Sequence, residues 1–176
     1  MRNNIAGAIT LLVIISSSLT AQGSSQKVSP EQAKLSFLVG TFATETQMMM
    51  GASTSKGTGT STLTWSLDSM FVMLDEQSVN NIFGNYKGHG MLGFSKREGK
   101  YVLSMFNNFG DAPQYRGNFS GDTLILKTKV EFTGGAFDQK LAWFKENNTV
   151  RLKIFNDMGK GPVLTIDQTY TPQIKK

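Results

Sequence analysis

No cysteine occurs in the 176 residues, and histidine occurs once, at position 89. The first absence excludes a disulfide framework, a thiol nucleophile and a lipid-modified cysteine anchor. The second leaves zinc short of ligands, since structural sites take four and catalytic sites usually three, unless carboxylates supply nearly all of them. Charge is sparse and unclustered. Eighteen Lys and Arg against 13 Asp and Glu give a formal net charge of +5, scattered except at Lys96-Arg97 and Lys175-Lys176. Nucleic-acid binders gather their basic residues on one element or face, so no nucleic-acid partner is expected. The apolar stretch from Ile5 to Ile15 is shorter than the roughly 20 residues that span a bilayer as a helix.

What stands at the N-terminus reads instead as an export signal. Arg2 supplies a positive start, residues 5–15 an apolar core, and Ala21-Gln-Gly23 a small-x-small cleavage site. Residues 1–23 are read as a signal peptide cut after Gly23, with Ala21 the near alternative and an uncleaved anchor helix the rival. Residues 24–28 form a polar linker, and 29–176 a single domain. The mature protein is expected to be periplasmic or secreted, with no stable membrane anchor. A domain of this length removes about two-thirds of its unfolded surface on folding and needs no covalent staples.

Ser29-Pro-Glu-Gln32 predicts a helix start, with Ser29 as N-cap, Pro30 in the first turn and Gln32 closing a capping box. The helix should run to Leu38 and stop at Gly40. Beyond it the period becomes two. Strands are expected at 42–50, 58–67, 70–79, 84–94, 100–109, 114–120, 123–131, 138–146, 149–156 and 162–171, separated by turn residues such as Asp68-Ser69, Gly121-Asp122 and Asn147-Asn148. Leu63, Trp65 and Leu67 oppose Thr62, Thr64 and Ser66, and Val150, Leu152 and Ile154 oppose Arg151 and Lys153. One apolar face, one wet face and no intervening helices predict an all-β fold, an antiparallel up-and-down barrel of about ten strands with a short N-terminal helix. Eight strands already suffice to hold a small ligand, so about ten predict a cavity.

Gly88-His-Gly-Met-Leu-Gly93 spells G-x-G-x-x-G. A dinucleotide fingerprint needs a helix opening at its glycines. Here a charged turn and an alternating strand follow, so the stretch is a strand whose glycines mark a bend, close packing, or room for a ligand. His89 alone could ligate haem, and Met48-Met-Met50 with His89 could bind copper. The preferred reading is that the methionines fill core gaps and the histidine bonds a neighbour. No metal or cofactor is expected. Catalysis has no clear seat either. There is no Gly-x-Ser-x-Gly elbow, Asp75 and Glu76 point to opposite faces, and Gly51–Gly59 reads as a flexible hairpin without the Gly-Lys-Ser/Thr of a phosphate loop.

Leu35-Ser-Phe-Leu-Val-Gly-Thr-Phe42, Gly88-His-Gly-Met-Leu-Gly-Phe94 and Lys100-Tyr-Val-Leu-Ser-Met-Phe-Asn107, with Gly117-Asn-Phe-Ser-Gly-Asp-Thr-Leu124, resemble in order and spacing a bacterial family of unknown function, number 1579. The resemblance spans about residues 31–172. It departs at Phe42, where that family has tryptophan, at Phe94-Ser95 in place of Tyr-Asp, and at Met105-Phe106 near a later tryptophan. It implies a lipocalin-like, calycin-type barrel and no settled activity. Gly40-Thr-Phe42 is also similar to the lipocalin opening and to nitrobindin-like haem barrels, whose C-terminal histidine is missing here.

The expected function is non-catalytic binding of a small, largely apolar molecule inside the barrel. Strand parity nominates Phe42, Trp65, Tyr86, Tyr101, Met105, Phe109 and Trp143 as ligand-binding residues; His89 is added for its chemistry, and Arg116 as an anion partner. The alternatives are a hydrolase or isomerase using His89 with a carboxylate such as Asp75, and a filled structural barrel. The signal-peptide reading predicts that protein recovered from its native host has an intact mass beginning at Ser24 or Gln22. A mass that includes Met1 or Arg2 would overturn it.

Overall fold

The computed structural model describes residues 28–82 and 84–173; the signal peptide read at 1–23 and most of the linker lie outside the described residues. Ser29 caps a short helix, α1 (Pro30–Ala33), through a capping box in which the Ser29 hydroxyl accepts from the Gln32 backbone N–H and the Gln32 side chain accepts from the Ser29 N–H. The chain then tightens into a 3-10 turn, Lys34–Leu38, rather than continuing as one helix. This places Leu35 and Leu38 in the core, at 0% and 2% exposure.

Ten antiparallel strands follow: β1 (Gly40–Met50), β2 (Ser53–Ser66), β3 (Phe71–Asn80), β4 (Gly84–Ser95), β5 (Lys100–Asn107), β6 (Gln114–Ser120), β7 (Thr123–Phe132), β8 (Gly135–Glu146), β9 (Thr149–Asp157) and β10 (Val163–Pro172). Each pairs with the next. β1 returns to β10, from Phe42 opposite Pro172 to Met48 opposite Ile166, closing the barrel. Closure leaves no exposed edge for another chain to extend.

Two local expectations are corrected. Residues 53–59 are not a flexible hairpin but the first half of β2, paired with β1 as far as Ser53 opposite Met50. Their glycines mark close backbone approach. A Cβ at Gly57 would lie 2.9 Å from the Val79 carbonyl oxygen, and one at Gly59 would overlap the Gln77 carbonyl. Leu67 does not continue the apolar face of β2. It opens a turn in which Leu67, Asp68 and Ser69 all have positive φ, and it is 63% exposed. A strand cannot pass through three consecutive left-handed residues.

The N-terminal helix and 3-10 turn lie against one end of the barrel. That end is filled by Leu35, Leu38, Phe42, Leu63, Leu92 and Tyr101, with Phe94 and Phe119 packed around them. Tyr101 meets Phe94 and Phe119 edge-on, with ring centroids 5.1 and 5.2 Å away. Its hydroxyl donates to the Glu31 carbonyl at 2.7 Å, tying α1 to the sheet. Burying such apolar side chains contributes about 1.5–3 kcal/mol each. Truncating the plug with Leu35→Ala should therefore cost about 2–5 kcal/mol, measured as a lower urea midpoint. A loss below about 0.5 kcal/mol, the range of ordinary surface substitutions, would mean that the helix does not plug this end.

Candidate functional site

Among the described residues nothing closes the opposite end of the barrel, and beneath its mouth lies a cavity of about 170 Å³. Its apolar wall comes from Leu103, Leu141, Leu152, Ile154 and Ile166, and its aromatic wall from Tyr86, Tyr115, Trp143 and Tyr170. The polar side is made by Thr46, Glu76, Ser78 and Gln168. All of these residues project inward by alternation along their strands. Each polar one replaces an apolar residue that the pattern alone would demand.

Glu76 is the chemical centre of this site. On β3 it stands opposite Ser61 of β2 and Gly88 of β4, so small neighbours on both sides leave its side chain room. It reaches β10 across the interior. Gln168 Nε2 donates to Glu76 Oε1 at 2.7 Å, and the Tyr170 hydroxyl lies 3.4 Å from Oε2. Burial pushes the Glu76 carboxyl above its usual range, and the two hydrogen bonds only partly oppose this. Among the described residues no lysine, arginine or histidine lines the cavity. Nearby, the Thr44 and Ser61 hydroxyls are buried without a hydrogen-bond partner.

The phenols remain neutral donors. Tyr170 is raised well above the ordinary value by burial and then by the Glu76 charge, while a hydrogen bond from Trp143 works the other way. Burial likewise raises Tyr86 far above the usual value and pushes Tyr115 up to about 12. A second polar chain runs across the apolar side. The Tyr115 hydroxyl donates to Gln139 Oε1 at 2.6 Å, and Gln139 Nε2 donates to Asn156 Oδ1 at 2.9 Å.

The residues nominated from the sequence divide into groups. Tyr86, Met105 and Trp143 line the cavity. Phe109 packs on Tyr86 at the rim with ring centroids 6.0 Å apart, itself 53% exposed. Phe42 and Tyr101 are buried and Trp65 is half-buried, but none of the three lines the cavity; they belong to the plugged end, and Phe42 packs edge-on against Tyr170 of the cavity wall. Arg116 faces outward and pairs with Glu98 at 2.9 Å, so it offers nothing to an anion inside. His89 also faces outward. Its Nδ1 lies 2.7 Å from Asp75 Oδ1, both side chains more than half exposed, in a shallow groove with Gln77, Lys87 and Phe106. The His–carboxylate pair exists, on the far side of the sheet from the cavity. Among the described residues no group of three or more His, Asp or Glu is placed to hold a metal.

The glycine question is answered by the same geometry. A Cβ at Gly88 would lie 2.5 Å from the Tyr86 hydroxyl, and one at Gly90 would overlap the Met105 sulfur. The groove is filled by these two side chains, not left vacant. Sequence reasoning missed Glu76, Gln168, Tyr170 and Tyr115. The signal available for Glu76 was the opposed Asp75-Glu76 pair, which requires one carboxylate of an alternating strand to point inward.

The raised carboxyl has a stability consequence. A group whose pKa is higher folded than unfolded adds nothing adverse while both states are protonated, then costs stability as pH rises from the unfolded value through the folded one. Glu76→Gln should therefore raise the urea midpoint at neutral pH, with the gain closing as pH falls below the unfolded carboxyl value of about 4.3. Equal midpoints for the two proteins across that range would refute the buried-acid assignment.

In fold, the barrel is similar to the S-type phycobiliprotein lyase CPES from Guillardia theta, with a TM-score of 0.55 and 13% sequence identity over 84% of this chain and 99% of that one. No curated protein matches the sequence. A family model described as "Protein of unknown function (DUF1579)" matches residues 27–169, nearly all of the described chain, and the protein belongs to that family.

Proposed function

We propose that the protein is an exported, non-catalytic carrier or sensor that holds a small, largely apolar molecule in the mouth half of its barrel. The observation that carries this reading is the cavity, enclosed by aromatic and aliphatic walls with a few convergent polar groups. That composition is typical of small-molecule sites, although such sites usually run to about 300–1,000 Å³. At about 170 Å³ the space suits a compact molecule. Apolar protein cavities of about 150 Å³ accept benzene.

Export is supported by the charged, apolar and small-residue sequence of the first 23 residues. Non-catalytic binding is supported by where the histidine–carboxylate pair sits. The hydrogen-bonded His89–Asp75 pair is exposed on the outer wall, away from the space that would shelter a substrate from water. A barrel filled throughout would serve as a structural element; the cavity between these walls favours the binding reading instead.

Trp143 lines the cavity, and Trp65, the other of two tryptophans, is at the plugged end. A Trp65→Phe variant thus leaves one reporter, on the cavity wall. Titrating it with small aromatic and alicyclic compounds should give saturable changes in its emission. Ile154→Trp, which narrows the cavity, should abolish the binding as followed by calorimetry. If no compound of suitable size gives a saturable signal and protein from the native host has the bare processed mass, the reading fails in favour of a structural barrel.

A further inference from the structure

The cavity has an imbalance of charge that neutral apolar ligands do not explain. Elsewhere carboxylates sit on the outer wall, where Asp75 meets His89, Glu98 meets Arg116, and Glu146 and Asp167 meet Arg151. Glu76 alone is carried inside, 9% exposed. It receives hydrogen bonds from Gln168 and Tyr170 but meets no cation among the described residues. A buried carboxylate in that position is destabilising until a positive charge pairs with it. A cavity meant only for a neutral molecule would hold it as well with glutamine or leucine here, at no such cost.

The walls around Glu76 supply the second half of the argument. Tyr86, Tyr115, Trp143 and Tyr170 come from four different strands and converge on the same space. The faces of such rings attract cations, most strongly when water is excluded. In a cavity this small, an occupant stays within reach of several walls at once. We infer that the occupant is a small organic cation, an amine or quaternary ammonium group on a compact apolar body, with Glu76 as its counter-charge and the four rings as its cage. This rests on the small-molecule reading above and narrows its ligand class.

The pH response follows from the groups that face Glu76. From β10 it meets Gln168 and Tyr170, from β2 it meets Ser61, and Tyr86 of β4 and Tyr115 of β6 share its cavity. His89 of β4 and Asp75 of β3 point outward. The three phenols are held neutral by burial, so within the cavity only Glu76 changes charge between acid and neutral pH. A cation needs the ionised form and competes with the proton. Its affinity should therefore rise with pH, whereas that of a neutral molecule of the same shape should not.

Choline and 3,3-dimethylbutan-1-ol test this, since they share one shape and differ in charge. Both would be titrated into the mature protein and its Glu76→Gln and Glu76→Asp variants by calorimetry at several pH values, with toluene as a neutral probe. Near-ultraviolet circular dichroism would verify folding. The expected result is choline binding at least about tenfold tighter than the alcohol, weakening toward acid pH, lost in Glu76→Gln and partly kept in Glu76→Asp. The alcohol's affinity should be the same in all three proteins. If choline and the alcohol bind equally, if Glu76→Gln retains choline, or if only the alcohol or toluene binds, the cation assignment is overturned while the small-molecule reading survives. Binding of none of the three overturns the cation assignment, and together with the bare processed mass of protein from the native host it overturns the small-molecule reading as well.

Discussion

Everything in this molecule follows from closing ten strands on themselves. Pairing β1 with β10 satisfies the backbone along both former edges, but it also fixes the width of the enclosed space. Side chains from ten strands do not fill that width along its whole length. The chain meets the requirement at one end with a separate element. A short helix and 3-10 turn bring Leu35 and Leu38 against the sheet, and Tyr101 fastens them by accepting a place in both the aromatic cluster and the Glu31 hydrogen bond. Among the described residues nothing equivalent covers the other end. The cavity is what closure leaves behind once one end is plugged.

The same constraint places the polar chemistry. In an open sheet, without the β1–β10 seam, Glu76 on β3 and Gln168 on β10 would be seven strands apart. In a closed and tilted one they face each other, 92 positions apart in sequence. The side chains between them on β2 are small: Gly57, Gly59 and Ser61. These residues do two things at once. They let the backbones of β2 and β3 come close, as the contacts of Gly57 and Gly59 with the Val79 and Gln77 carbonyls show, and they clear the interior for a long side chain from β3. Glu76 reaches its partners on β10 because β2 presents so little in between.

Much of the fold was legible because its determinants are local. Alternation over seven to fourteen residues, with turn residues between strands, locates nine of the ten strands closely; β2 began five residues before the expected start because glycine, serine and threonine read as loop. The His89–Asp75 contact was also within reach, since it joins directly opposed residues of adjacent strands. The cavity residues were less accessible. Tyr86, Met105 and Trp143 follow from parity, but parity cannot tell the plugged end from the open one. Trp65 and Tyr101 have the same inward phase and lie elsewhere. Arg116 and His89 were drawn in by chemistry against their own phase, which places them outside. Glu76, conversely, has the inward phase, but the opposed Asp75-Glu76 pair does not by itself say which carboxylate points inward.

The glycines of β4 show how narrowly the remaining space is defined. Gly88 and Gly90 look like vacancies in the sequence, yet the Tyr86 hydroxyl and the Met105 sulfur occupy them. Each glycine thus converts a wall position into a seat for a neighbouring side chain, drawing Tyr86 down over β4 and Met105 across from β5. The cavity is lined by these displaced groups rather than by the strand backbone. Its aromatic character on that side depends on two residues that have no side chain. Larger residues at 88 and 90 would push Tyr86 and Met105 into the space that Glu76 faces, closing the cavity while leaving the barrel's pairing intact. The hollow and the cage around it are therefore one feature, set by where the strands carry glycine.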